Sequence, residues 1–171
     1  MNSIKINNKQ IGKKYPLFFI AEAGVNHNGS LKLGKKLIDV AARAGADAVK
    51  FQNFLADEII LPKAPKSKYH IETTGPDEKQ TWMDLLKTQE IPRKMLSSLI
   101  KHAKKKKIIF LSTPYDEKSS DLLEKFNMPA YKIASTDTNN FKLLSHIAKK
   151  KKPIILSTAM CNEGEVIKSI N

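Results

Sequence analysis

Cysteine is nearly absent: Cys161 is the only one in 171 residues, which excludes an internal disulfide and suits a reducing compartment. That lone thiol reads as a small, semi-buried side chain. Long apolar runs are missing as well. None approaches the roughly 20 residues that cross a bilayer, and the amino-terminal Met-Asn-Ser-Ile-Lys has no signal-peptide core. A cytoplasmic protein with no membrane partner is expected. Arginine and aromatic residues are not interleaved on one face and no nucleic-acid module is recognisable, so no nucleic-acid partner is expected despite a net charge of +13. Lysine supplies far more of that charge than arginine. It clusters at 104–107 and 149–152, each time after a helical pattern, where cations complement the helix dipole and stay hydrated. The same charge helps draw an anionic substrate. No Gly-x-Gly-x-x-Gly or Walker-type loop follows any apolar run, which weighs against a nucleotide-binding sheet.

What is present suffices for one core. A 41% hydrophobic chain of this length is expected to fold as one globular domain. Residues 1–16 hold Ile4, Ile6 and Ile11 in partial alternation, a short strand or hairpin. Residues 17–21 then form an apolar run that stops at Glu22. It reads as a parallel strand covered on both faces. Ser30 caps a helix with Leu33, Leu37, Val40, Ala41 and Ala44 at helical spacing, closed by Gly45.

The alternation then repeats. Strands are expected at 48–52, 108–114, 130–135 and 153–158, with helices near 92–103, 119–126 and 141–150 and another starting at 162. Between 53 and 91 the period is lost, apart from a helical segment at 81–86; a connection this long is usually functional. Five strand–helix units argue for a parallel sheet with right-handed crossovers. The expected fold is α/β, a (β/α)8 TIM-barrel type that is incomplete, because a full barrel takes about 250 residues. An open doubly wound sheet is the competing architecture. An unfinished barrel would leave apolar sheet edges and helix faces in water.

Every expected strand ends in polar residues: Glu22; Lys50 with Gln52; Ser112 with Thr113; Lys132 with Ser135; Ser157 with Thr158. A parallel barrel gathers these on one face. Two ammonium groups with several hydroxyls suit a phosphate or carboxylate, and one carboxylate remains to orient or deprotonate a hydroxylated partner. Each residue also has a plainer reading. Glu22 can be a solvated loop acid, Lys50 and Lys132 can snorkel from the sheet, and the hydroxyls can cap the following helices. Lysine Schiff-base aldolase chemistry at Lys50 or Lys132 also stays open, since a desolvated lysine near another cation becomes nucleophilic, as does a non-catalytic anion-binding fragment.

Ile-Ala-Glu-Ala-Gly-Val-Asn-His-Asn-Gly, Ala-Val-Lys-Phe-Gln, Phe-Leu-Ser-Thr-Pro-Tyr-Asp, Tyr-Lys-Ile-Ala-Ser and Ile-Ile-Leu-Ser-Thr-Ala-Met stand in one order along nearly the whole chain. Together they resemble the sialic acid synthase (N-acetylneuraminate synthase) family. The resemblance implies the amino-terminal part of a barrel transferase in nonulosonic acid and surface-carbohydrate biosynthesis. In that family the phosphoenolpyruvate methylene carbon attacks the aldehyde of an open-chain N-acetylmannosamine-type sugar. Water adds to the neighbouring carbon and phosphate leaves.

Carried over residue by residue, the resemblance makes Lys50, Thr113, Lys132, Ser135 and Ser157 the phosphoenolpyruvate contacts. Glu22, the candidate catalytic residue, and Gln52 and Asp137 would meet the sugar. Asp137 stands where glutamate is common, retracting the charge by one methylene, roughly 1.5 Å; Ala159 replaces a common glycine. The resemblance also implies a divalent metal, Mn2+ or Mg2+, that polarises the aldehyde. Its two histidine ligands would lie on later strands, so no metal ligand is expected here and His27 reads as a loop histidine with a hydrogen-bonding role. A carboxyl-terminal antifreeze-like domain and a homodimer complete what the family implies.

Overall fold

The computed structural model describes residues 3–76 and 80–171. Its first feature is a hairpin of β1 (Ile4–Ile6) and β2 (Lys9–Ile11), antiparallel, turning through Asn7 at φ 54°. Asparagine tolerates that left-handed backbone better than most side chains. Five parallel strands follow: β3 (Ile20–Gly24), β4 (Ala48–Asn53), β5 (Ile109–Pro114), β6 (Tyr131–Ile133) and β7 (Ile154–Leu156). They lie in the order of the chain, each beside the next. A doubly wound sheet reverses its strand order at a switch point; these five strands contain no reversal.

The crossovers are α1 (Leu31–Arg43), α5 (Arg93–Lys105), α6 (Glu117–Lys125) and α7 (Phe141–Ala148), with α8 (Glu163–Ile170) after the last strand. Each start is chemically marked. Ser30, Asp116, Asn140 and Asn162 cap α1, α6, α7 and α8 through side-chain oxygens, and Asn162 with Glu165 completes a capping box. Pro92 precedes α5, whose buried stripe is Met95, Leu96, Leu99 and Ala103. The excursion after β4 carries α2 (Ala56–Ile59), α3 (Lys68–Thr74) and α4 (Trp82–Gln89). Both lysine clusters sit at helix carboxyl ends, with Lys106 and Lys149 as the C-caps of α5 and α7.

Alternation along the strands sorts the core into two parts. One face carries Val49, Phe51, Phe110, Tyr131 and Ile133 into the helices, against Ile38, Leu96, Leu99, Leu123 and Ile147. Phe51 and Phe110 stack with centroids 5.2 Å apart. The other face carries Ala48, Ile109, Leu111 and Ala130, and here the hairpin closes over the amino-terminal end of the strands by inserting the fully buried Ile6. Ala48, Ile109, Leu111 and Ala130 are therefore covered on this face by a plug rather than by helices.

Two adjacent helix pairs share one fastening. Asp39 of α1 accepts from His102 at 2.8 Å and pairs with Lys106 at 3.0 Å. Asp121 of α6 likewise takes His146 at 2.6 Å and Lys150 at 2.5 Å. In each case a histidine and a lysine four residues on project from one side of a helix end.

Two expectations need correction. The opening strand is an edge strand that starts at Ile20 and pairs only with β4; Ala21 and Ala23 pack toward the helices and Ile20 toward the hairpin, whereas Leu17 and Phe19 before it are 79% and 62% exposed. The apolar stripe of α1 is also shifted. Gly34, Ile38 and Ala41 are its buried positions, whereas Leu33 and Val40 are 41% and 47% exposed. The reason is distance: a Cβ at Gly34 would come within 2.8 Å of Leu99 Cδ2, so α1 and α5 pack closely where α1 carries no side chain, and Leu99 would have to move to admit one.

Candidate active site

In register, Glu22 lies opposite Lys50, Gln52 opposite Thr113, and Lys132 opposite Ile155. Because Ser112 lies opposite Tyr131, Thr113 and Lys132 fall in the next row of the same face. This is the face closed below by Ile6, so the polar residues begin where the apolar plug ends. The split follows from sequence: Ala48 then Lys50, and Ile109 and Leu111 then Thr113, alternate from apolar to polar as the strands rise.

Lys50 is the centre of the first cluster. Its Nζ pairs with the Glu22 carboxylate and donates to Thr113 Oγ1 at 3.3 Å. The lysine side chain is only 8% exposed and the glutamate 52%, so the pair runs from the sheet out to solvent. Gly24 follows this pair at the top of β3. The β3–β4 register shifts between Glu22 and Gly24, and Gly24 at φ 53° sits between Glu22 Oε1 and Gln52 Nε2, 3.6 and 3.7 Å from where a Cβ would stand.

Lys132 centres the second cluster. Its Nζ donates to Ser157 Oγ at 2.5 Å and to the Ile133 carbonyl at 2.9 Å. Burial lowers the Lys132 pKa, and the Lys50 ammonium lowers it further, while Glu22 acts the other way. Two cations thus share one face with a single paired carboxylate, Glu22.

Beyond β6 the chain enters a 3-10 turn, Ser135–Asp137. Thr138 fastens this turn to β7 by donating from Oγ1 to the Ser157 carbonyl at 2.5 Å. Asp137 accepts from Asn140 Nδ2 at 3.2 Å, and burial raises its pKa. Cys161 is half-buried, its Sγ 3.7 Å from the Ser135 carbonyl, in keeping with a packing role.

Not every polar strand end belongs to the site. Ser112 turns the other way: it is fully buried and donates to Asn53 Oδ1 at 2.9 Å. Adjacent strand residues face opposite sides, so Ser112 and Thr113 cannot both point inward. Thr158 is exposed, and its backbone carbonyl accepts from the Cys161 amide at 3.1 Å. His27 is fully buried, tilted against Phe51 at 6.0 Å on the helix-covered side. Its Nδ1 accepts from the Gly29 amide at 3.0 Å, and burial lowers its pKa. Its hydrogen-bonding role stands, and it faces away from the charged cluster.

Sequence reasoning passed over Tyr115 and Asp116. The Tyr115 amide donates to the Asn53 carbonyl at 3.0 Å, so the β4–β5 ladder continues one step past Pro114. Asp116 holds this corner by accepting from the Leu55 amide at 2.9 Å and from the Ser119 amide and hydroxyl, each at 2.7 Å. The available signal was the alternation Leu111, Thr113, Tyr115, which a proline does not interrupt at the end of a strand.

Among the described residues, no group of three or more histidine, cysteine, aspartate or glutamate side chains could hold a metal ion. The site as built is two lysines, each bonded to a hydroxyl, with Glu22 and Gln52 on the same sheet face and Asp137 in the turn after β6.

Comparison with known proteins places the chain in a family. The NeuB family model matches residues 37–171. An N,N'-diacetyllegionaminic acid synthase of Campylobacter jejuni is 49% identical over 152 residues, 89% of this chain and 45% of its own length. The spore coat polysaccharide biosynthesis protein SpsE of Bacillus subtilis is 42% identical, over 97% of this chain and 43% of its own. The crystal structure of an N-acetylneuraminic acid synthetase from Leptospira borgpetersenii, in complex with citrate, superposes with a TM-score of 0.82 at 32% identity, over 99% of this chain and 54% of that one. The chain thus spans about half the length of the curated relatives it matches. With a family model running through four of the five strands and a solved relative that follows almost the whole fold, the chain belongs to the NeuB family.

Proposed function

We propose that this chain forms the amino-terminal five units of a (β/α)8 barrel that condenses phosphoenolpyruvate with an acylamino sugar, releasing phosphate and a nonulosonic acid. The observation that carries the reading is the Lys50–Lys132 pair on the open sheet face, each lysine bonded to a hydroxyl, Thr113 or Ser157. Two point charges and two hydroxyls match a small donor bearing both phosphate and carboxylate. Ser135 starts the 3-10 turn that follows β6, and in this reading its hydroxyl also serves the donor.

Glu22, Gln52 and Asp137 serve the sugar in this reading. The Lys50 contact holds the Glu22 carboxylate at the boundary between donor and sugar, where it orients the hydroxyls next to the aldehyde. As the donor's methylene carbon forms the new bond, positive charge grows at its neighbouring carbon. The aldehyde oxygen keeps the electron pair of its C=O bond and takes one proton from the water that adds at that neighbouring carbon. The carbon becomes a ketone as its carbon–oxygen bond to phosphate breaks, and the second water proton leaves with the phosphate. The lysines stabilise the departing dianion. The residues described do not fit the divalent ion that the resemblance implies, because His27 is buried on the opposite side and no ligand group is present; none of these roles depends on it.

The architecture supports the barrel reading through its open ends. β3 and β7 are the edges of the sheet, and apolar side chains are exposed near both: Leu17 and Phe19 at one, Met160, Ile167 and Ile170 at the other. A cavity of about 410 Å3 lies open between α7 and α8, lined by Phe141, Leu144, Leu156 and Ile170. Further units would cover these surfaces. Membrane insertion gains no support, since among the described residues no helix is long and apolar enough to cross a membrane.

Sugar-dependent phosphate release tests the reading. The chain, alone and joined to the carboxyl-terminal half of the Campylobacter jejuni relative, is assayed with phosphoenolpyruvate, N-acetylmannosamine or a diacetamido sugar, and manganese. The joined form is expected to release phosphate only when sugar is present; release without sugar, or none with any sugar, counts against it. The depressed Lys132 favours one rival, an imine-forming aldolase. Covalent trapping with pyruvate and borohydride would establish that rival and displace the synthase.

A further inference from the structure

One residue at the crown of the site has no role in the reading above. Tyr115 is the next residue after Thr113 on the open face, brought there by the extra rung between its amide and the Asn53 carbonyl. Its neighbour in β4's continuation is Phe54, which meets the Tyr115 ring edge-on at 6.2 Å and is itself buried. That contact and the Asp116 corner hold the ring in place, yet its hydroxyl has no hydrogen-bond partner among the described residues. The phenol is half-buried and lies within electrostatic reach of Asp137 and Glu22; burial and these two carboxylates raise its pKa, so at neutral pH it is a proton donor.

The cleft on the other side of Tyr115 bears on the sugar. It encloses about 200 Å3 and is shared by Tyr115 and Asn140, the residue that holds Asp137. Both of its lysines are paired with carboxylates, and Asp116 adds one more. Lys118 meets Glu58 at 2.5 Å and Lys142 meets Glu117 at 3.4 Å. A phosphate-binding pocket leaves its cations without carboxylate partners; this one does not.

We propose that Tyr115 is a specificity-determining residue, donating a hydrogen bond from its hydroxyl to an uncharged polar substituent of the sugar held between Glu22 and Asp137. The sugar is accordingly an unphosphorylated acylamino sugar. A hydroxyl or acylamino carbonyl accepts this bond and fits the paired charges around it. A phosphate ester would need one of the Lys–Glu pairs to be broken. The inference rests on the synthase reading and extends it to the choice of sugar.

The test uses the joined polypeptide described above, with Tyr115→Phe, which keeps the ring and its contact with Phe54. Losing one neutral hydrogen bond should raise KM for the unphosphorylated sugar about three- to tenfold and leave KM for phosphoenolpyruvate unchanged. The parent should use N-acetylmannosamine or a diacetamido sugar in preference to N-acetylmannosamine 6-phosphate. A sugar KM within twofold of the parent, an equal rise in both KM values, or preference for the phosphorylated sugar overturns the assignment. Tyr115→His, which restores a donor on a shorter arm, should recover part of the loss. Absence of sugar-dependent turnover in the parent is a different result: it overturns the synthase reading on which this one stands.

Discussion

The two ends of the open sheet face share strands, register and alternation, and differ in what covers them. At the foot, Ala48, Ile109, Leu111 and Ala130 are sealed by the hairpin and Ile6. Two residues further along the same strands stand Lys50, Thr113 and Lys132, where Lys50 bonds to Thr113 and Lys132 to Ser157 rather than meeting an apolar plug. The foot has no polar side chain to satisfy, so close packing stabilises it. The crown holds two partly desolvated cations that repel each other, an arrangement that costs folding free energy and favours an anion. Stability and binding are thus separated along single strands by about two residues, roughly 7 Å.

Substitutions at either end can break that separation. The largest effect is expected for Ile6→Ala, which empties a fully buried position and should cost about 2–5 kcal/mol. Denaturant unfolding of the chain should show that loss, while affinity for phosphoenolpyruvate among the molecules still folded stays the same. Weakened binding of similar size would show that the two ends are coupled. Lys132→Met should do the converse. Removing a charged donor should weaken phosphoenolpyruvate binding by about 1.5–3 kcal/mol, read by calorimetry, with stability unchanged or raised because a desolvated charge has gone.

Asp137→Asn sharpens the comparison through pH. Burial sets the folded pKa of Asp137 above its ordinary 3.8, so its favourable contribution is complete below that value and lost as pH rises through the folded pKa. At neutral pH the amide should therefore raise the melting temperature while impairing use of the sugar; a lower melting temperature at pH 7 would contradict this. The smallest effect is expected away from the sheet, at Asp121→Asn. The Lys150 ammonium, with His146 adding to it, holds Asp121 below the ordinary carboxylate range. Its contribution is present above the unfolded value and fades as pH falls through the folded one. Because the carboxylate is half exposed, the loss near pH 7 should be only about 0.2–1 kcal/mol, and the curves of parent and variant should converge in acid.

Most of the strand–helix alternation was legible in sequence, because apolar runs that end in polar residues leave few other readings. The phase within a strand was less legible. Ser112 and Thr113 are chemically alike, and only the register with Tyr131 on β6 shows that Thr113 faces the cluster and Ser112 faces Asn53. The α1 stripe was misplaced because periodicity counts apolar side chains, whereas the tightest helix contact is made at Gly34, which has none. Tyr115 was hidden behind Pro114, whose missing amide suggested that the strand had stopped. In a parallel ladder the next amide can resume it, and Tyr115 does. Glu22 was visible as the abrupt end of an apolar run, but its pairing with Lys50 depends on the parallel register of β3 and β4, which involves a residue across the sheet.

The paired histidine–lysine fastenings give the helical wall a grain. One joins α1 to α5 and the other α6 to α7, while among the described residues no ion pair joins α5 to α6; there Arg93 lies over the Phe126 ring at 5.9 Å. The wall is built like planks nailed two by two, with a softer seam between the pairs. Cuts or insertions at that seam sever no ionic fastening, which makes it the natural joint at which two-unit modules of such a wall can be parted and recombined.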